Sequence, residues 1–328
     1  VYKRQECGEG TLSMLLRHLP SVNSSHSDYR RLQEHLRLVK FIWISHAHYD
    51  HYGGLPAVVN AIHQSRSKLH ATETIQNGFG SHLESSLLIV APKKVLNFLD
   101  IVLGCSRGVK QCTETVRLFV GYAHEEHRSW WIHLSNIQLQ RRCAGLAPAA
   151  AGRPTPLCVY RPFVFWTNIQ VDHCFGAFGF VAGIRIPGNG FQGDLCGATM
   201  GAGSLQAKEK IVTFAFSGDT RPCMKFVQQV QADCSRFVGS NLSFLLHEAS
   251  FHDDEHSMAL EKKHSSLSEA LRVALDIAAD KVILTHFSQR YENYPPMKFI
   301  DSFPALPEMS CMPVMFALEG MLVPLTTV

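Results

Sequence analysis

Long apolar runs are missing from this sequence. No stretch of about 18 apolar residues occurs, so a membrane-spanning helix is not expected and a membrane is not an expected partner. An excess of one charge is missing too: 31 Lys and Arg stand against 28 Asp and Glu, a formal net charge of +3. Bulk charge therefore carries no nucleic-acid signature, although a local basic face is compatible with it. None of the ten cysteines forms a C-x-x-C pair, and 328 residues are too many for a disulfide-stapled miniature domain. A reducing, intracellular compartment is expected, with nucleus, mitochondrion and cytoplasm left unresolved. Internal repeats at periods of 20–50 residues are absent, which sets aside solenoids and propellers. The chain opens on Val1, reaches a glycine-rich motif within seven residues and shows no signal peptide. It reads as N-terminally truncated relative to a longer protein, with any targeting segment outside it.

What is present is a globular composition, 46% hydrophobic and 18% charged, consistent with a large folded domain over 1–328. Eighteen histidines are the unusual count, and several are grouped. Val39 to Ser45 is a short run of β-formers, read as a buried strand. Further strands are expected over 86–90, 211–216, 242–246 and 281–285, with helices over 55–62 and 92–102. Ser266 and Glu269 have capping-box spacing ahead of an apolar stripe on Leu267, Leu271, Ala274, Leu275 and Ala278. Residues 104–170 and 183–210 are weakly patterned and read as insertions or loops. The second contains Gly188-x-Gly190-x-x-Gly193, which no helical pattern follows, so it reads as a loop and not a dinucleotide site.

Chemistry-bearing residues fall just after the expected strands, where α/β enzymes place their sites. The strongest group is His46-x-His48-x-Asp50-His51, three imidazoles and a carboxylate within six residues. These are the ligand types of catalytic zinc, which keeps one position for water. On an extended segment His46 and His48 can face one metal. Asp50 and His51 can then face a second after the chain bends at Gly53-Gly54. His173, Asp219 and His286 are candidates for the remaining ligands by their placement at strand ends. Each alone also fits an ordinary core histidine or turn-forming aspartate. Two metals about 3.5–4 Å apart would clamp a phosphate and hold a bridging hydroxide for in-line attack. A positioned acid would protonate the leaving oxygen, and His264 or Glu248 could supply that proton.

With these residues in place, the sequence resembles the metallo-β-lactamase superfamily, whose signature is similar to His46-Ala47-His48-Tyr49-Asp50-His51. Further motifs look like those of tRNase Z (RNase Z), in that family's order. They are Cys7-Gly8-Glu9-Gly10-Thr11, Ser217-Gly218-Asp219-Thr220-Arg221-Pro222, His247-Glu248-Ala249-Ser250, His264-Ser265-Ser266 and the segment His286 to Tyr291. Val90-Ala91-Pro92 before a helix is similar as well. Together they resemble the C-terminal catalytic half of the long form, over roughly 5–103, 171–181 and 211–300, with a terminal strand near 313–324. The resemblance implies an α/β (α+β) αββα sandwich and two zinc ions. His46, His48 and His173 would hold one, Asp50, His51 and His286 the other, with Asp219 bridging. It further implies Asp50 as proton acceptor, Glu248 and His264 as the source of the leaving-group proton, and Arg290 near the substrate phosphate.

The implied activity is that of a zinc-dependent endoribonuclease. It would remove the 3′ trailer from precursor tRNA by attack of a metal-activated hydroxide, leaving a 3′-hydroxyl on the tRNA and a 5′-phosphate on the trailer. A general phosphodiesterase or thioester hydrolase of the same fold, and a truncated non-catalytic fragment, are the alternatives. The sequence departs from the family pattern at Glu6, where aspartate is usual, and at Ser266, where threonine is usual.

Overall fold

A computed structural model describes residues 7–18, 28–39, 41–73, 87–105, 132–133, 138–139, 163–186, 210–291, 312–318 and 321. Along the chain, α1 (Thr11–His18) and α2 (Asp28–Leu38) precede β1 (Phe41–Trp43). Then come α3 (Tyr49–Tyr52), α4 (Leu55–Glu73), β2 (Leu88–Ala91), α5 (Lys93–Cys105), β3 (Ile132–His133) and β4 (Gln138–Leu139). The antiparallel run β5 (Phe163–Gln170), β6 (Phe178–Ile186) and β7 (Lys210–Phe216) follows. The chain continues through α6 (Met224–Phe237), β8 (Phe244–Glu248), α7 (His256–Lys262), α8 (Leu267–Ile277), β9 (Val282–Thr285) and β10 (Val314–Phe316).

The strands form two sheets. One is parallel, ordered β1-β2-β3; the other has seven strands, ordered β10-β9-β8-β7-β6-β5-β4. An aromatic seam joins them. Trp43 of β1 packs edge-on to Phe180 of β6 with ring centroids 4.8 Å apart, and Trp166 of β5 stacks on Phe180 at 4.1 Å. Asn168 Oδ1 accepts from both indoles, at 2.9 and 3.0 Å, so neither buried N–H is left unsatisfied. On the outer face of the parallel sheet, α2, α4 and α5 bury Leu36, Leu55, Ile62 and Leu99. On the outer face of the large sheet, α6 and α8 bury Phe226, Val230, Leu271 and Ala274. At about 1.5–3 kcal/mol for each large apolar side chain taken from water, these layers dominate the stabilising side of folding. The result is the expected αββα sandwich.

Elements expected from pattern recur with shifted ends: α4 runs on to Glu73 and α5 to Cys105. Two departures are larger. The expected insertion 104–170 ends in β5, an eight-residue strand that is mostly buried and paired along its length with β6. The expected insertion 183–210 contributes 183–186 to β6 and Lys210 to β7. β6 and β7 pair across 187–209, a connection that a local pattern does not carry, whereas β5 and β6 are joined by only 171–177. The rest of these two regions, the glycine motif 188–193 included, lies outside the described residues apart from β3, β4 and the end of α5.

Because β5 and β7 both run antiparallel to β6, and β8 and β9 run parallel to β7, the carboxyl ends of β5, β7, β8 and β9 lie on one edge. The end of β1 meets that edge: Phe178 N donates to Ser45 O at 3.1 Å. The fold thereby gathers five strand-end loops into one place.

Candidate metal centre

His46 and His48 leave the end of β1, while Asp50 and His51 sit on the short helix α3. The Gly53-Gly54 pair does not act as the expected glycine-only bend, since Gly53 has ordinary right-handed backbone (φ −57°). Its purpose is close approach. A Cβ at Gly54 would stand 2.1 Å from the carbonyl oxygen of Gly8, and one at Gly8 would stand 2.1 Å from that of Asp50. Cys7 N donates to His51 O at 2.9 Å and Gly54 N to Cys7 O at 2.9 Å. The Cys7 to Gly10 turn is therefore a brace for the α3 loop.

All seven sequence-expected ligands converge. His46 Nε2 lies 2.9 Å from His48 Nδ1, and His173 Nε2 lies 3.3 Å from that same atom. Asp219 Oδ2 is 3.2 Å from His51 Nε2, 3.3 Å from His286 Nε2 and 3.8 Å from His46 Nε2. Asp50 Oδ2 is 3.7 Å from His51 Nε2. Donor atoms of His46, His48 and His173 form one cluster and those of Asp50, His51 and His286 another. Asp219 groups with His46 of the first and His51 of the second, where a bridging ligand belongs.

Three partners fix which ring nitrogen points inward. His173 Nδ1 lies 2.9 Å from Lys263 O; a carbonyl only accepts, so Nδ1 carries the hydrogen and Nε2 presents its lone pair. Ser45 Oγ stands 2.8 Å from His46 Nδ1, and Ser250 Oγ stands 2.6 Å from His286 Nδ1. Lys263 and His286 both adopt left-handed backbone (φ 55° and 60°), conformations that cost non-glycine residues energy and recur at functional sites. Burial, with His51 beside it, pushes the His46 imidazole down to about 2. Burial also lowers His48 and His286. For these three rings burial favours the neutral form, the one that binds metal. Burial works against ionisation of Asp219, but the ring nitrogens of His286 and His51 outweigh it and hold the carboxyl well below the usual range.

The donor set fits divalent metal. Imidazole nitrogens bonded at about 2.0–2.1 Å to one tetrahedral zinc lie roughly 3.3 Å apart, close to the spacings found here. Asp219 Oδ1 is buried and has no hydrogen-bond partner within the protein. A buried, ionised oxygen in that state is costly unless a cation meets it.

A second constellation borders the centre. Glu248, at the end of β8, is fully buried; it accepts from Thr220 N at 2.8 Å and Ser250 N at 3.1 Å, and it lies 2.8 Å from His264 Nδ1. His264 lies between α7 and α8, its ring 5.2 Å from that of His286 and 4.7 Å from that of His173. Burial alone would lower the His264 imidazole, but the Glu248 hydrogen bond and charge reverse this and raise it above its ordinary value. His264 reciprocally lowers the Glu248 carboxyl against the effect of burial. A cleft of about 290 Å³ opens here, lined by Asp50, His51, Ser250, His264, His286 and neighbouring residues. His264 faces this cleft, and Glu248 stands behind it. Arg290 holds its guanidinium over the ring of Phe251, a lining residue, at 4.9 Å, with Nη1 2.9 Å from Glu255 Oε1.

Some participants carried no legible sign. The Lys263 contribution is a backbone carbonyl, which no side-chain pattern marks. Ser250 and Arg221 stood inside motifs but without a role: Arg221 reaches both His264 O and Glu269. Cys174 Sγ joins the first histidine cluster and was indistinguishable in sequence from the other cysteines.

Residues 7–103 match the metallo-beta-lactamase superfamily. Over 88% of its length the chain is 27% identical to zinc phosphodiesterase ELAC protein 2 of Homo sapiens and to ribonuclease Z 1 of Schizosaccharomyces pombe. It is 26% identical to the mitochondrial tRNase Z TRZ3 of Arabidopsis thaliana. The chain spans about a quarter of the length of these relatives, 26% for the human protein. Among solved structures, a long-form RNase Z from yeast superposes with a TM-score of 0.58 at 20% identity, covering 98% of this chain and 36% of that one.

Proposed function

We propose that this chain, which carries a metallo-β-lactamase domain, is a zinc-dependent endoribonuclease that removes the 3′ trailer from precursor tRNA. The observation that carries the reading is the pairing of buried Glu248 with half-buried His264 at the edge of the seven-residue cluster. A thiolate or nitrophenolate leaves without help, whereas a ribose 3′-alkoxide needs a proton as it departs. A histidine whose affinity for protons is raised, beside a metal centre, is the apparatus for that kind of ester.

His46, His48 and His173 would hold one zinc and Asp50, His51 and His286 a second, with Asp219 touching both clusters. Two bound zinc ions would neutralise phosphate charge and lower the pKa of water toward neutrality. The protein's own part is positional. Ser45, Ser250 and the Lys263 carbonyl orient the imidazoles; Glu248 orients His264 and favours its protonated form. Asp50, at the cleft, is placed to accept the proton of the attacking water. The P–O3′ bond breaks, the ribose oxygen takes its proton from His264, and the phosphate remains on the 5′ end of the trailer. Arg290 would meet the flanking backbone phosphates once released from Glu255.

Similarity to ribonuclease Z and tRNase Z proteins supports RNA over other phosphodiesters. The test is cleavage of an end-labelled precursor tRNA with a 3′ trailer, mapped to the nucleotide. A single cut at the base of the acceptor stem, absent in Asp50→Ala, is expected. Rapid hydrolysis of a bis-aryl phosphate or a thioester with intact precursor tRNA would replace this reading by a small-molecule hydrolase.

A further inference from the structure

Arg221 stands outside the metal centre yet touches three of the loops that build it. Its backbone N donates to Asp172 O at 2.9 Å, beside His173. Its Nη1 donates to His264 O at 2.6 Å and to Glu269 Oε2 at 2.7 Å, and its Nη2 donates to Glu269 Oε1. Two residues earlier in its own loop comes Asp219. Glu269 is itself fixed, because it closes the capping box of α8 by accepting from Ser266 N at 2.9 Å. The guanidinium side chain is only 13% exposed and Glu269 20% exposed, so the fork is sheltered from water. One further bond joins the same loops, Ser265 Oγ to Thr220 O at 2.6 Å.

We infer that Arg221, clamped by Glu269, is a positioning residue that sets the register of His264 against the Asp219 loop, so that the leaving-group proton is delivered where the bond breaks. The inference rests on the phosphodiesterase reading above. Its physical basis is the shape of the guanidinium: a planar fork can meet both carboxylate oxygens and a carbonyl at once, whereas lysine offers a single ammonium at the end of a flexible stem. The other reading is a purely structural clamp holding α8 to the sheet. The two differ in what they do to chemistry. A structural clamp affects every substrate alike. A residue that positions the acid matters only when the leaving group needs a proton.

The experiment compares zinc-loaded wild type, Arg221→Lys, Arg221→Gln and Glu269→Gln on two phosphodiesters, bis(p-nitrophenyl) phosphate and precursor tRNA, whose scissile ester has an alcohol leaving group. Zinc content is measured alongside. General acids contribute 10²–10⁴-fold, so misplacing one should slow the alcohol ester by roughly 10–100-fold while the nitrophenyl ester changes by less than about threefold at unchanged zinc content. Glu269→Gln, which keeps the side-chain shape and weakens the fork, should show the same selectivity at smaller size, and it serves alone if the Arg221 variants do not fold. Equal losses on both esters, or no loss on either, would overturn the inference. A wild type inert toward both esters would overturn the phosphodiesterase reading, and this inference with it.

Discussion

At the scale of single residues, the proposed chemistry turns on His264 and Glu248. His264→Ala should slow RNA cleavage by roughly 10²–10⁴-fold with zinc still bound, read by single-turnover kinetics and metal analysis; loss of zinc would make His264 a ligand instead. The pair also fixes a pH dependence. The Glu248 carboxylate raises the imidazole above its ordinary 6.5, so the acid is protonated below that raised value, and cleavage falls as pH climbs through it. The stabilising effect of the pair follows the same sign, being complete below 6.5 and lost as pH rises through the folded value. Glu248→Gln removes the charge, so the descending limb of the kcat profile should move to lower pH; an unmoved limb would assign it to another group. Much at this scale was legible in sequence. Four ligand-type residues within His46 to His51 announce a metal site because few other uses exist for that grouping. His173, Asp219 and His286 were legible only as separate candidates, and it is the convergence of their loops that groups them. The Lys263 carbonyl that orients His173 was not legible, since every residue carries one.

Strands and loops decide where those side chains meet. The capping box at Ser266 and Glu269 was read directly from spacing, and α8 starts where it predicts. The glycines of the brace were legible as glycines but not for their reason. Gly53-Gly54 reads as a bend, whereas Gly54 is small because the Gly8 carbonyl lies against it. Gly54→Ala should therefore destabilise the protein by about 1–3 kcal/mol, the usual cost of overpacking. Urea denaturation reads that loss, and metal affinity should fall with it because the α3 loop carries Asp50 and His51. A variant as stable as wild type would show that the brace yields freely. β5 and the end of β6 were hidden for a different reason. The apolar run Phe163 to Trp166 has no period-two alternation and is too short to separate strand from helix, and Thr167 and Asn168 interrupt it before the short connection 171–177 to its partner β6.

At the largest scale, the described residues form two sheets packed face to face whose carboxyl edges meet at one cluster of candidate metal ligands, so metal binding would be coupled to folding. The candidate ligands come from both sides of the sandwich: His46, His48, Asp50 and His51 from the parallel-sheet half, and His173, Asp219 and His286 from the other. Zinc that binds the folded state alone stabilises it by about 4 kcal/mol at a free concentration a thousand times its dissociation constant. Removal by a chelator should lower the melting midpoint by several degrees and added zinc should restore it; an unchanged midpoint would mean the ligands are not bridged by metal in solution. The order of elements made the αββα sandwich legible in outline. The sheet order was not, because β10 joins β9 over a connection longer than any local pattern spans.

The central claim is that this cluster holds a pair of divalent ions without which no phosphodiester is cut. It is tested most directly by titrating zinc into metal-free protein while recording bound metal and cleavage of precursor tRNA together, in wild type and Asp219→Asn. Two equivalents bound by wild type, with cleavage appearing only as the second fills, and weakened binding with no cleavage in Asp219→Asn, is the expected result. Cleavage by the metal-free protein, or full cleavage by Asp219→Asn, would contradict it.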